Sequence, residues 1–318
     1  TFAWAASQLS GAAITGFSNC ASSCGSTISQ ILTNTSNAVS GVVRYSIIPT
    51  SPQGCPGQAL NVDVTVKPKP LGSASPQTIC SGQSTAVTLS STLANTTFTW
   101  SAAQYSGASI SGFGDCLSSC GNVIGQILTN SSSTAAGVIR YTVIPKSSQN
   151  CLGNSFTVDV TVNPKPVVSV ATTPACIGIS NGSVEAIVSG GKSPYDYSWS
   201  NGSSLQSQTN LPSGIYTVTV TDDNSCTNNA QGTIISQGIS SMTATPGPCD
   251  PASNTYSLSG VISLVNPPLS GSLTVSVGVK QQILLAPFSS PVNYSIVGLA
   301  AAGGAHTVNA VFSDGATC

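Results

Sequence analysis

His306 is the only histidine among the 318 residues, and it stands in Gly303-Gly-Ala-His-Thr-Val308. A Ser-His-Asp hydrolase needs such an imidazole beside a nucleophile and a carboxylate. Gly178-Ile-Ser-Asn-Gly182 has the Gly-x-Ser-x-Gly spacing of a nucleophile elbow. An elbow joins a strand to a helix; this stretch follows a cysteine and leads into a strand-like run, so it reads as a turn. Paired carboxylates for glycoside hydrolysis must come from nine Asp and Glu, of which only Asp222 and Asp223 are adjacent. With Asn224 they offer calcium three oxygen ligands in a row, too few for a site, and Asx turn chemistry accounts for their place after a strand. The glycine pairs in Ser189-Gly-Gly-Lys192 and Ala302-Gly-Gly304 have no helix behind them to cradle a phosphate. The sequence reads as no enzyme, with no cofactor and no metal.

Aromatic and charged positions are as sparse. Trp4, Trp100 and Trp199 fall in corresponding early strands, where an inward tryptophan beside a disulfide is a usual sandwich core feature. Arg44 and Arg140 recur in one strand, as do Asp63 and Asp159 in another, which suits pairing between them. In all, 8 Lys and Arg and 9 Asp and Glu make 5% of the chain, against about 25% in an ordinary domain. Eight scattered cations exclude a nucleic-acid binder. An apolar content of 40% excludes a charge-rich disordered chain, and no apolar run reaches the length of a membrane span.

The elements that position these residues are repeated. At an offset of 96 residues Phe2-Ala-Trp4 falls on Phe98-Thr-Trp100, Cys20 to Cys24 on Cys116 to Cys120, and Gln30-Ile-Leu-Thr-Asn34 on Gln126 to Asn130. Val62-Asp-Val-Thr-Val66 falls on Val158 to Val162, and a Pro-Lys-Pro linker follows each copy. The same offset carries Cys80 onto Cys176, after which the likeness fades. The boundaries expected are 1–70, 71–166, 167–240 and 241–318, with nothing in the first module to match residues 71–96. Thr97–Ser101, Val138–Ile144 and Phe156–Val162 alternate with period two and are rich in β-branched residues, the mark of strands. Later runs at 182–188, 215–221, 255–264 and 271–279 do the same. The fold class expected is all-β: tandem Ig-like, PKD-like antiparallel β-sandwich modules arranged as an extended rod.

Eleven cysteines in so uncharged a chain read as a disulfide framework made outside the cytoplasm. The repeats constrain the pairing. Cys20–Cys24 and Cys116–Cys120 close local loops. Cys80–Cys151 and Cys176–Cys226 are expected to cross their sandwiches, and Cys249–Cys318 to staple the last module. Cys55 is then unpaired, its counterpart falling before Thr1. Zinc needs four ligands, which isolated Cys-x3-Cys pairs and a single histidine do not supply.

These residues also carry a resemblance. The first two modules resemble PKD-like repeats of very large Bacteroidetes surface proteins in Ile79-Cys-Ser-Gly82, Thr97-Phe-Thr-Trp100, Gln126-Ile-Leu-Thr-Asn130, Tyr141-Thr-Val-Ile-Pro145, Cys151-Leu-Gly153 and Val162-Asn-Pro-Lys-Pro166. The third is similar to the SprB repeat in Asn181-Gly-Ser183, Pro194-Tyr195, Tyr197-Ser-Trp-Ser-Asn-Gly202, Leu211-Pro-Ser-Gly214 and Tyr216-Thr-Val-Thr-Val-Thr-Asp222. The fourth looks like the Cys-flanked β modules interspersed in such chains, and the Cys-x3-Cys inserts depart from the family pattern. The resemblance implies a segment of a gliding-motility adhesin: a stalk in an outer-membrane-associated cell-surface filament exported by type IX secretion, without catalytic residues. The partners implied are neighbouring modules of the same chain, with surface polysaccharide or other copies of the filament as further candidates. Two other functions fit the sequence: a polysaccharide-binding module, or a non-catalytic linker of a large secreted enzyme.

Overall fold

The computed structural model describes residues 1–301 and 305–313, and every regular element among them is a β-strand. The chain divides into two compact units, Thr1–Lys165 and Pro166–Cys318. Its buried side chains gather in four separate clusters, two in each unit. We call the surroundings of these clusters modules one to four, in chain order.

Module two shows the plan most fully. Its main sheet runs in the order Cys116–Cys120, Thr97–Gly107, Gly137–Lys146, Phe156–Asn163, Gln77–Cys80. Period-two alternation decides which side chains enter the core. Along Gly137–Lys146 the residues Ile139, Tyr141 and Val143 are wholly buried, while Val138, Arg140 and Thr142 between them face outward. The next strand brings Val158 and Val160 opposite Tyr141 and Ile139. The last contact is parallel: Gln77–Cys80 runs alongside Val160–Asn163, with Cys80 level with Asn163. Short strands at Gln83–Ser84, Val87–Thr88, Val123–Ile124 and Ile127–Asn130 cover the other side of this core.

Module one repeats four of the five main strands in the order Cys20–Cys24, Phe2–Gly11, Gly41–Pro49, Leu60–Val66, and has no parallel fifth. The consequence is exposure of its sheet. Val62 is 40% exposed where its counterpart Val158 is 3%. Ile28, Leu32, Tyr45 and Val64 line an open apolar hollow at the place where Ile79, Val87 and Leu89 close the core of module two.

In the second unit, module three packs one sheet of Pro166–Thr173, Gly182–Gly190 and Ser207–Leu211 on another of Tyr195–Trp199, Gly214–Asp222 and Thr227–Ile234. Val184, Ala186, Trp199, Val218, Val220 and Ile234 fill the space between. The division expected at 240 falls inside a strand. Ser236–Met242 pairs in parallel with Ala175–Cys176 and antiparallel with Thr255–Val265, so one sheet spans modules three and four. Module four completes that sheet with Val292–Ala300 and packs it on Lys280–Leu285, Ser272–Val277 and Val308–Phe312.

Val158→Ala therefore removes two core carbons, at a cost of about 1–3 kcal/mol. Val62→Ala, at the exposed equivalent, is expected to cost less than about 1 kcal/mol. Hydrogen exchange read separately on Gly137–Lys146 and Gly41–Pro49 distinguishes the two.

Candidate functional site

The recurring polar feature is a five-residue turn that ends in a cysteine. In module one Ser51 Oγ accepts from the backbone N–H of Cys55 at 3.2 Å. Gly54 donates to the Ser51 carbonyl, with φ of 84°. In module two Ser147 Oγ accepts from the N–H of Cys151 at 3.1 Å, and Asn150 takes the place of the glycine with φ of 66°. In module three Asp222 Oδ1 accepts from the N–H of Cys226 at 2.8 Å, and Ser225 has φ of 61°. One hydrogen-bonding side chain, one left-handed residue and one cysteine make the same hairpin three times.

This turn takes up the calcium candidate. Asp222 is 4% exposed. Its Oδ1 also accepts from Asn224 N–H at 3.0 Å, and its Oδ2 accepts from Lys192 N–H at 2.9 Å. Asp223 pairs with Lys192 Nζ at 2.7 Å and raises the pKa of that ammonium. Both oxygens of Asp222 are thus occupied by backbone donors, and no group of three or more candidate metal ligands converges among the described residues.

The repeated amides are internal locks. Tyr141 donates its hydroxyl to Gln126 Oε1 at 2.7 Å, and Gln126 Nε2 donates to the Gly114 carbonyl at 2.8 Å. Tyr45, Gln30 and Ser18 repeat that chain in module one at 2.8 and 2.8 Å. Asn130 Nδ2 donates to the carbonyls of Ala135 and Val162, as Asn34 does to those of Val39 and Val66. The repeated Gln-Ile-Leu-Thr-Asn run therefore joins its loop to the neighbouring sheet. Gln104 likewise bridges Ser106, Ala108 and Ile110, and Gln8 bridges Ser10, Ala12 and Ile14. The signal for these locks was their recurrence at the 96-residue offset.

The charged repeats face outward. Arg140 meets Asp159 with two bonds of 2.7 and 2.8 Å across neighbouring strands, and its guanidinium lies 3.4 Å from the centre of the Tyr105 ring. Arg44 and Asp63 make the same bidentate pair. Each arginine holds its aspartate below the usual carboxylate range. Trp100 and Trp199 are core residues, and Trp4 is partly buried against the core of module one. Trp199 is buried and donates Nε1 to the Leu205 carbonyl at 2.8 Å, while Trp100 is buried against the main core of module two. His306 is exposed and its ring neighbour is Tyr256, at 5.8 Å between centroids. Ser180 lies in the loop between Ala175–Cys176 and Gly182–Gly190, with no helix after it. His306 and Ser180 thus belong to different modules. A cavity of about 420 Å³ lies beside the first linker and is lined by Ile31, Asn37, Lys67, Lys69 and Pro70 among others.

The cysteines depart from the expected framework. Cys20–Cys24 and Cys116–Cys120 are bonded, each within one edge strand. There Phe98 and Trp100, two residues apart, face Cys120 and Cys116, four apart, so the disulfide spans a bulge that pushes Leu117 outward. A bulge of this kind blunts an open sheet edge. Cys80–Cys151 does not form: Cys151 is a free thiol, and Cys80 is bonded elsewhere. The two stand at opposite ends of Phe156–Asn163, a strand about 25 Å long, and a disulfide needs Cα atoms about 6 Å apart. Cys176–Cys226 meets the same obstacle. Both are bonded, but Cys226 precedes Thr227–Ile234 and Cys176 is level with Gln237 beyond its far end. Cys249 is a free, exposed thiol, which removes the expected Cys249–Cys318 bridge, and Cys318 itself lies outside the described residues. Cys55 is free and exposed.

Fold and site together define an adhesin-type structural repeat region, built from Ig-like sandwiches whose polar residues are spent on internal bonds. The model of the PKD-like domain matches residues 1–70 and 77–166, and that of the SprB repeat matches 168–204. The chain belongs to the PKD-like domain family, with a SprB repeat following in the same polypeptide. No curated protein sequence matches it. Among solved structures it is similar to the I9–I11 tandem of titin, at 12% identity and a TM-score of 0.24, over 77% of this chain and 95% of that one. It is also similar to a 1.5-MDa bacterial ice-binding adhesin, at 11% and 0.26, over 79% and 95%. A third is the human desmocollin-1 ectodomain, at 10% and 0.21, over 96% and 71%. No helix among the described residues is long and apolar enough to cross a membrane.

Burial pushes the Tyr141 hydroxyl up to about 12, against about 10 in an unfolded chain. A raised native value stabilises module two fully below pH 10, and this contribution is lost as pH climbs from 10 to 12. Tyr141→Phe is expected to flatten that alkaline loss while costing about 1 kcal/mol at neutral pH through loss of the hydroxyl bond to Gln126 Oε1, which keeps its bond from Gly114 N–H. Urea unfolding at pH 7 and pH 11 measures both.

Proposed function

We propose that this chain is a stalk segment of a very large cell-surface adhesin filament, serving surface adhesion and gliding motility. The observation that carries the reading is tandem PKD-like modules followed by a SprB repeat. The polar groups repeated between modules one and two support it, because they bond within their own module and leave no catalytic set. In this role the module surface spaces and transmits load, and recognition belongs to other parts of the filament. Short Pro-Lys-Pro linkers suit that task, since proline fixes φ and shortens the range of angles a joint explores. The location implied is the cell exterior, with export through the type IX route and attachment at the outer membrane. An end-to-end array of four modules is the form a stalk takes.

Small-angle scattering tests this directly. A compact chain of this length has a radius of gyration of about 20 Å, and the stalk is expected to give at least about twice that. A value near 20 Å sinks the stalk reading.

A further inference from the structure

Lys67-Pro-Lys-Pro70 joins modules one and two inside the first compact unit. Every residue of this linker is restricted. Proline fixes φ at Pro68 and Pro70, and a residue before proline is pushed towards extended backbone, which takes in Lys67 and Lys69. Both prolines are buried and both lysines are exposed. Bending at the joint is therefore left to its two ends, Val66 and Leu71.

A connected set of hydrogen bonds holds both ends. At the near end Asn34 Nδ2 donates to the Val66 carbonyl at 2.9 Å. Asn34 also opens the loop 34–39, where its Oδ1 accepts from Ser36 N–H at 2.8 Å. Ser36 Oγ then accepts from the N–H groups of Ala38 and Val39, each at 3.1 Å. At the far end Leu71 N–H donates to Thr92 Oγ1, and Thr92 N–H donates to the Leu71 carbonyl, each at 3.1 Å. Gly72–Ser73 pairs with Ser90–Ser91, and Gly153 leaves no room for a Cβ against the Pro70 carbonyl, so module two grips this end. The two sets meet at Thr92, whose Oγ1 donates to the Asn37 carbonyl of module one at 2.8 Å. One hydroxyl thus gives its proton to module one and accepts another from the end of the linker.

Space borders the linker where packing would otherwise fix it. Asn37, Lys67 and Leu71 line the cavity of about 420 Å³, and Ala38, Pro68 and Leu93 line a second of about 160 Å³. Each is walled by both modules. We propose that the Thr92 hydroxyl latches this joint. With its bond to the Asn37 carbonyl made, modules one and two move as one body. With it broken, the two cavities give module one room to turn on the linker. A single exposed hydroxyl bond is weaker than a packed core, so a pull along the chain opens the latch before it unfolds a sandwich. The latch holds or fails whatever the chain adheres to.

Residual dipolar couplings of the full chain, read with amide hydrogen exchange, test the latch. In the unsubstituted protein the couplings of modules one and two are expected to fit one alignment frame, and a need for two frames overturns the proposal. Thr92→Val keeps the shape and removes the hydroxyl. Exchange at Leu71 N–H should then speed up, the strands Gly41–Pro49 and Gly137–Lys146 should exchange as before, and the modules should lose their common frame. A frame still shared once Leu71 exchange has risen overturns the latch, because the prolines and packing then hold the joint alone. Thr92→Ser keeps the hydroxyl and should keep the shared frame; its loss there also counts against the proposal. Thr92→Ala gives the same reading should the valine variant fail to fold.

Discussion

Parallel pairing of Gln77–Cys80 with the last strand of its sheet constrains much of what module two can do. The strand Gln77–Cys80 lies beside Val160–Asn163 and runs the same way, so both must finish at the same end. The last strand leads within three residues into the next module, which puts Cys80 at the exit. The hairpin before the last strand puts Cys151 at the opposite end. Module three repeats the geometry with Ala175–Cys176 against Ser236–Gln237. A bridge inside either module would have to run the length of a strand, so these cysteines cannot brace the sandwich that carries them.

Stability within a module then rests on its core and its neutral polar locks. Domains of this size bury little apolar surface, and a satisfied buried hydrogen bond adds about 1 kcal/mol while an unsatisfied one costs more. Gln126 and Asn130 each hold several backbone groups that would otherwise be stranded where the loop crosses the core. Gln30 and Asn34 do the same in module one, although its sheet lacks the covering strand. The locks therefore belong to the loop-and-strand unit itself and do not depend on the closing strand.

The tandem repeat, the strands and the inward face of each were legible in the sequence, because β-branched alternation and a 96-residue offset are both local or self-referential signals. The arginine–aspartate pairs were legible for the same reason: single charges recur in an almost uncharged chain. Partners across space were not. Cys80 was expected to meet Cys151 across the sandwich, but it closes Gln77–Cys80 level with Asn163, at the other end of the module and beyond reach of Cys151. The amide locks were visible only as recurring letters, since nothing in Gln126 or Asn130 names a tyrosine hydroxyl or a carbonyl as its mate. The division expected at 240 lies within Ser236–Met242, a strand in one sheet that runs through modules three and four, and such a strand has the same alternation as one that belongs to a single module.

The scarcity of charge has a mechanical meaning in such a chain. An ion pair on a surface is weakened by salt over distances of about 8–10 Å and adds little stability to begin with. Three such pairs occur among the described residues. Apart from carboxylates that accept from backbone N–H groups, as Asp115, Asp222 and Asp250 do, most of the remaining polar contacts are hydroxyl, amide and backbone groups, which neither titrate near neutral pH nor respond strongly to ionic strength. A sandwich held in this way keeps its shape across changes of salt and acidity that would loosen a charge-stitched one. For a repeat that stands outside the cell, where the medium is not buffered by the cytoplasm, neutral locks meet that demand with the fewest groups exposed to it.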